Sequence, residues 1–132
     1  MTTVWADTNV LLRFLTGEPA LLAARSRRLL RRAAEGELSI RIANLVIAEV
    51  IWVLSSVYRA DHAAVADAVR ALVLADGIVV DDEETVLSAL RLMEGMKVDY
   101  KDAFVAANAI AHGDPVATFD SDFKRLGVEV IG

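Results

Sequence analysis

Cysteine is absent from the 132 residues, which excludes disulfides, thiolate metal sites and thiol nucleophiles. No stretch of about 20 apolar residues is free of charge, and Glu49 interrupts the best candidate, so a membrane span is not expected. The opening "MTTVWADTNV" has no basic region followed by a long apolar run, so it does not read as a signal peptide. A soluble cytoplasmic protein is the expectation. Positive charge is in deficit: the formal net charge is −5, which disfavours broad, nonspecific binding to nucleic acid. No aromatic-rich sheet face of the RNA-recognition kind is visible. What the chain does have is apolar residues, 55 % of the total, enough to bury a core in one domain spanning 1–132 and to suggest a subunit interface.

Short apolar runs alternate with longer helical patterns, the signature of a parallel sheet with crossover helices. Strands are expected at Thr3–Ala6, Leu38–Ala43, Gly77–Val80, Pro115–Phe119 and, at an edge, Val128–Ile131. Between them lie a short helix over Asn9–Leu15 and a longer one from Pro19 to about Glu35. On the latter, Leu22, Ser26, Leu29, Leu30 and Ala33 share one face, and five of the fourteen basic residues, Arg25 to Arg32, fall on the other. A third helix, Asn44–Arg59, takes Asn44 as its N-cap and is apolar all round, so it belongs in the core or against another chain. Asp61 caps a fourth. Acids fill the first turn of a fifth, and Asp99, Asp102 and Gly113 bracket a sixth.

"NLVIAEVIWVL" places Glu49 in one of the most apolar runs of the chain. A buried carboxylate must take a proton, find a partner or bind a metal. Other acids share its topological address. Asp7 follows the first strand, Asp120 and Asp122 follow the fourth, and Asp102 lies in the first turn of the helix leading into that strand. Sites in open parallel sheets form beyond the carboxyl ends of the strands. Clustered carboxylates repel one another, and a hard divalent cation such as magnesium or manganese removes that repulsion. Each acid also has a local reading. Asp7 is placed to cap a helix, Glu49 to pair with Arg41 or Arg13, Asp102 to serve a helix dipole, and Asp120 and Asp122 to shape a turn.

"ADTNVLLRFL", "NLVIAEVIWVL", "DYKDAFVAANAIAHG" and "VATFDSDFKRLGVEVI" together resemble, in order and spacing, the motifs of PIN domains, and within those the VapC toxins of bacterial toxin–antitoxin pairs. The resemblance implies an α/β fold of three layers, with a five-stranded parallel sheet in the order 3-2-1-4-5. It implies a magnesium- or manganese-dependent endoribonuclease. Asp7, Glu49, Asp102 and Asp120 match the family's catalytic and metal-holding acids, and Asp122 a position where a further acid is common. Thr8, Asn9 and Thr118 stand where small polar residues support them. A VapB-type antitoxin and a homodimer are the implied partners, with helix Asn44–Arg59 a candidate surface for either.

For gripping RNA phosphates, Arg13 and Lys101 lie beside motif residues, and the face bearing Arg25, Arg28 and Arg32 offers a salt-dependent term, or else is simply solvated. His62 and His112 read as structural or solvated, which argues against a metal-free route using histidine as acid and base. Two other functions stay open: an aspartate-dependent phosphatase, although Asn9 stands where a second aspartate would be wanted, and a non-catalytic, metal-binding dimerisation module.

Overall fold

Leu38–Ile42 shows how the sheet is written. Leu38, Ile40 and Ile42 are buried while Ser39 and Arg41 are half-exposed, the period-two alternation of a strand with one face on the core. In the computed structural model, which describes residues 1–132, this strand is β2. It pairs in parallel with β1 (Thr2–Trp5) on one side and β3 (Ile78–Val80) on the other. β4 (Val116–Ala117) and β5 (Val130–Ile131) form a second parallel pair. Six α-helices connect them: α1 (Thr8–Thr16), α2 (Ala20–Ala34), α3 (Asn44–Ser56), α4 (His62–Val73), α5 (Glu83–Met96) and α6 (Tyr100–His112). A 3-10 helix over Ser121–Leu126 precedes β5. The class is α/β, as the alternation of patterns requires. No helix is long and apolar enough to cross a membrane.

The expected order 3-2-1-4-5 is met on either side of one missing seam. The strands form a three-stranded sheet, β1-β2-β3, and a separate two-stranded sheet, β4-β5, with no ladder between β1 and β4. The run Pro115–Phe119 is extended as a strand only at Val116–Ala117. Pro115 has no N–H to give a ladder, and the Thr118 hydroxyl accepts from the Asp120 N–H (3.0 Å), which turns the chain away. The free edge of β1 leaves Trp5 largely exposed, with the Arg41 guanidinium 5.4 Å from its ring centroid.

Helix ends follow the sequence in most places. Asp7 caps α1 by accepting from Thr8 N (2.8 Å), and Asp61 caps α4 by accepting from Ala63 N (3.1 Å). Gly113 closes α6 in the left-handed region. Two details differ. Ala43, not Asn44, occupies the N-cap of α3, and the Asn44 Oδ1 is buried without a partner. On α2 the buried stripe is Ala23, Ser26, Leu30 and Ala33, while Leu22 faces solvent, because the helix turns its small residues toward its neighbours. α3 is not central on every side either. Ile47, Val50, Ile51 and Leu54 are buried, and Leu45, Trp52, Val57 and Tyr58 are exposed. One continuous apolar core joins all six helices to β2 and β4.

Gly77 is needed where α2 ends against the start of β3. Its φ is +80°, and an added Cβ would lie 2.4 Å from the Ala33 carbonyl oxygen. Gly36 has a similar φ of +84° with open space around it. Gly36→Ala is expected to cost about 1–2 kcal/mol, the left-handed backbone penalty alone. Gly77→Ala is expected to cost a further ~1–3 kcal/mol, because backbone must move to relieve the clash. Urea denaturation of the two variants measures the difference, and equal midpoints would refute the close packing of α2 on β3.

Candidate active site

The carboxyl end of β1 and the second turn of α3 are joined by one hydrogen bond. Thr8, only 8 % exposed, donates from Oγ1 to Glu49 Oε2 at 3.1 Å. Asp7 stands next to it in extended backbone, its carboxylate turned to the first amide of α1. The Thr8 hydroxyl thus bonds one of the four expected acids, Glu49, rather than its neighbour Asp7. Glu49 departs from the expectation of burial: its side chain leaves the apolar stripe of α3 and is exposed. Neither alternative ion pair forms. Arg41 bonds Asp81 at 2.9 Å, and Arg13 Nε is buried without a partner.

Glu49 faces a cavity of about 670 Å³ between α3, the start of α4 and the start of α6. Asp102 lines it as well, from the third position of α6, with Lys101 Nζ 3.7 Å from its Oδ1. Among the other walls are three residues that sequence reading did not single out, Trp52, Ser55 and Tyr100. His62, read above as structural or solvated, lines it too. Tyr100 is 6 % exposed, its Oη has no partner, and its ring stacks on Phe104 at 5.7 Å between centroids. Burial pushes its phenol pKa above the ordinary value, so the hydroxyl stays protonated. A signal for these residues existed. Trp52 lies three positions after Glu49 on the same helix face, and Tyr100 sits inside "DYKD".

Asp120 behaves as its turn reading foretells. It caps the 3-10 helix by accepting from Asp122 N (2.9 Å), and both acids are exposed. Asp122 Oδ1 is 3.7 Å from Arg125 Nε. Asn9 is exposed on α1. The four expected acids are not gathered into one ligand set: no group of three or more carboxylates or histidines stands close enough to hold a metal ion. For Asp120 the cause is the open seam. With β4 unpaired from β1, nothing in the sheet fixes Asp120 beside Asp7. Oxygen-only donors suit magnesium or manganese in kind, but no three of them stand together here as a ready-made ligand set. On α2, Arg25, Arg28 and Arg32 are exposed around Leu29, and Arg32 Nε is engaged by Glu37 at 2.9 Å.

No curated protein matches the chain. Among solved structures, VapBC2 from Rickettsia felis bound to a DNA fragment from their promoter aligns with 99 % of this chain and 98 % of its own. The identity is 16 % and the TM-score 0.36, too weak a likeness to carry any inference. The family comparison is of another order, because residues 4–129 match the PIN domain, from the first strand to the last. The chain belongs to the PIN domain family.

Proposed function

We propose that this chain is a VapC-type endoribonuclease toxin, dependent on magnesium or manganese and neutralised by a VapB-type antitoxin. The observation that carries the reading is the PIN match over residues 4–129, a family whose members are generally nucleases, and the sequence resemblance that assigns Asp7, Glu49, Asp102 and Asp120 as its acids supports it. No three of the acids are preassembled around one point, so a cation would have to draw them together, and the reaction is described through the side chains alone. Water attacks the scissile phosphorus in line, the bond to the 3′ oxygen breaks, and the departing oxygen takes up a proton. Products carry a 5′-phosphate and a 3′-hydroxyl. Glu49, oriented by Thr8, is placed to receive a proton from the attacking water. Lys101 beside Asp102 is placed to meet the phosphate charge. Arg13, beside the first motif, and the exposed Arg25 and Arg28 would supply further phosphate contacts.

Two surfaces support the partner part of the reading. Phe14, Leu15, Leu30 and Leu72 line an apolar groove of about 630 Å³ between α1, α2 and α4, with Arg27 and Arg31 among its other walls. Just past the end of α3, Val57 and Tyr58 are exposed. A protein segment or a second copy of the chain would cover either surface.

Asp7→Asn is the decisive variant, because asparagine caps a helix as well as aspartate does and the fold is retained. RNA cleavage in manganese is expected to fall by about a hundredfold or more, while the urea midpoint shifts by less than about 0.5 kcal/mol. Undiminished cleavage in this variant would falsify the assignment. Chelator is expected to abolish the wild-type activity. Release of phosphate from a small phosphoester, with RNA left intact, would instead favour the phosphatase reading. Calorimetry is expected to detect manganese uptake by the wild type and weaker uptake by Asp7→Asn. Uptake equal in both, without RNA cleavage, is the outcome of a metal-binding module that is not an enzyme.

A further inference from the structure

The cavity shared by Glu49 and Asp102 is larger than an ion and its waters require. Its volume of about 670 Å³ lies within the roughly 300–1,000 Å³ of small-ligand sites. Its walls are of two kinds. Glu49, Lys101 and Asp102 bring charge to one part. Trp52, Ser55, His62 and Tyr100 bring an aromatic face and hydrogen-bonding groups to the rest. Trp52 leaves 62 % of its surface open at the cavity wall, so its ring is free to take a stacking partner. Tyr100 Oη is buried with no acceptor, a loss that a bound acceptor would make good.

We infer that this cavity receives one unstacked base of a single-stranded RNA, next to the phosphate that is cut. Trp52 is the stacking platform, and the Tyr100 hydroxyl and the His62 ring contact the base edge. The inference rests on the endoribonuclease reading and adds to it the element that selects where the strand is cut. Single-stranded RNA is recognised by splayed bases that stack on aromatic rings and present their edges to hydrogen-bonding groups. A protein segment is the poorer occupant. Only 6 of the 13 lining residues are hydrophobic, against 8 of 11 in the groove between α1, α2 and α4.

The test uses the full chain as wild type, Trp52→Ala, Trp52→Phe and Tyr100→Phe. Tyr100→Phe removes only an unpaired hydroxyl and is expected to fold at least as well as wild type. Fluorescein-labelled RNA hexamers of a single base, one for each of the four bases, are titrated in chelator, where nothing is cut. Trp52→Ala is expected to weaken binding of the preferred hexamer about tenfold, and Trp52→Phe to restore most of it. Tyr100→Phe is expected to narrow the spread of affinities among the four hexamers. With manganese and an RNA of mixed sequence, Trp52→Ala is expected to raise KM with kcat little changed and to broaden the set of bonds cut. Hexamer affinities and a cleavage pattern identical to wild type in Trp52→Ala overturn the inference, as does an effect of that variant confined to self-association or antitoxin binding. If the wild type cuts no RNA, the nuclease reading fails on its own. The hexamer titration still decides the cavity, since equal binding by wild type and Trp52→Ala ends the inference and loss of binding upholds it.

Discussion

A hydrogen bond between residues 41 positions apart organises the candidate site. The Thr8 hydroxyl reaches Glu49 and so ties the exit of β1 to the middle of α3. The bond is local in space and remote in sequence, so it exists only once β1 and β2 have paired and α3 has packed on α1. It also settles the direction in which Glu49 projects. A free glutamate on an exposed helix face would sample several rotamers, whereas this one is held by a donor that is itself buried. Held in this way, Glu49 links the exit of β1 to the cavity that α3 shares with α6.

Much of the architecture was legible because it is written in short range. Alternation in Leu38–Ile42, the acidic caps at Asp7 and Asp61, and the glycine stop at Gly113 are each decided by a few neighbouring residues. What the sequence did not disclose depends on tertiary placement. The apolar circumference of α3 gave no hint that Leu45 and Trp52 stay uncovered while Ile47 and Ile51 are buried, since hydropathy is the same on both sides. Glu49 reads as stranded in hydrocarbon for that reason. Leu22 was likewise assigned to the buried face of α2, where the smaller Ala23 is found instead. Trp52 and Tyr100 were passed over because an aromatic near a motif acid reads equally well as core, and only the orphaned hydroxyl and the open indole distinguish them.

The acids illustrate a limit of topological reasoning. Chain order correctly places Asp7 and Asp120 beyond the carboxyl ends of strands, yet it says nothing about whether those strands share a sheet. Asp7 and Glu49 are linked through Thr8, and Glu49 and Asp102 through a common cavity. Asp120 instead closes its own turn. The local and functional readings of a carboxylate are therefore not exclusive: Asp7 caps α1 and stands at the site at once. A side chain already oriented by a helix amide is restricted before any substrate arrives, which lowers the entropy lost on binding.

The unpaired edge of β1 has a consequence beyond the site. Along it, backbone donors and acceptors face outward beside a solvent-facing indole, and such a margin invites strand addition by another polypeptide. Only four residues long, it offers too few ladder bonds for a durable fibre.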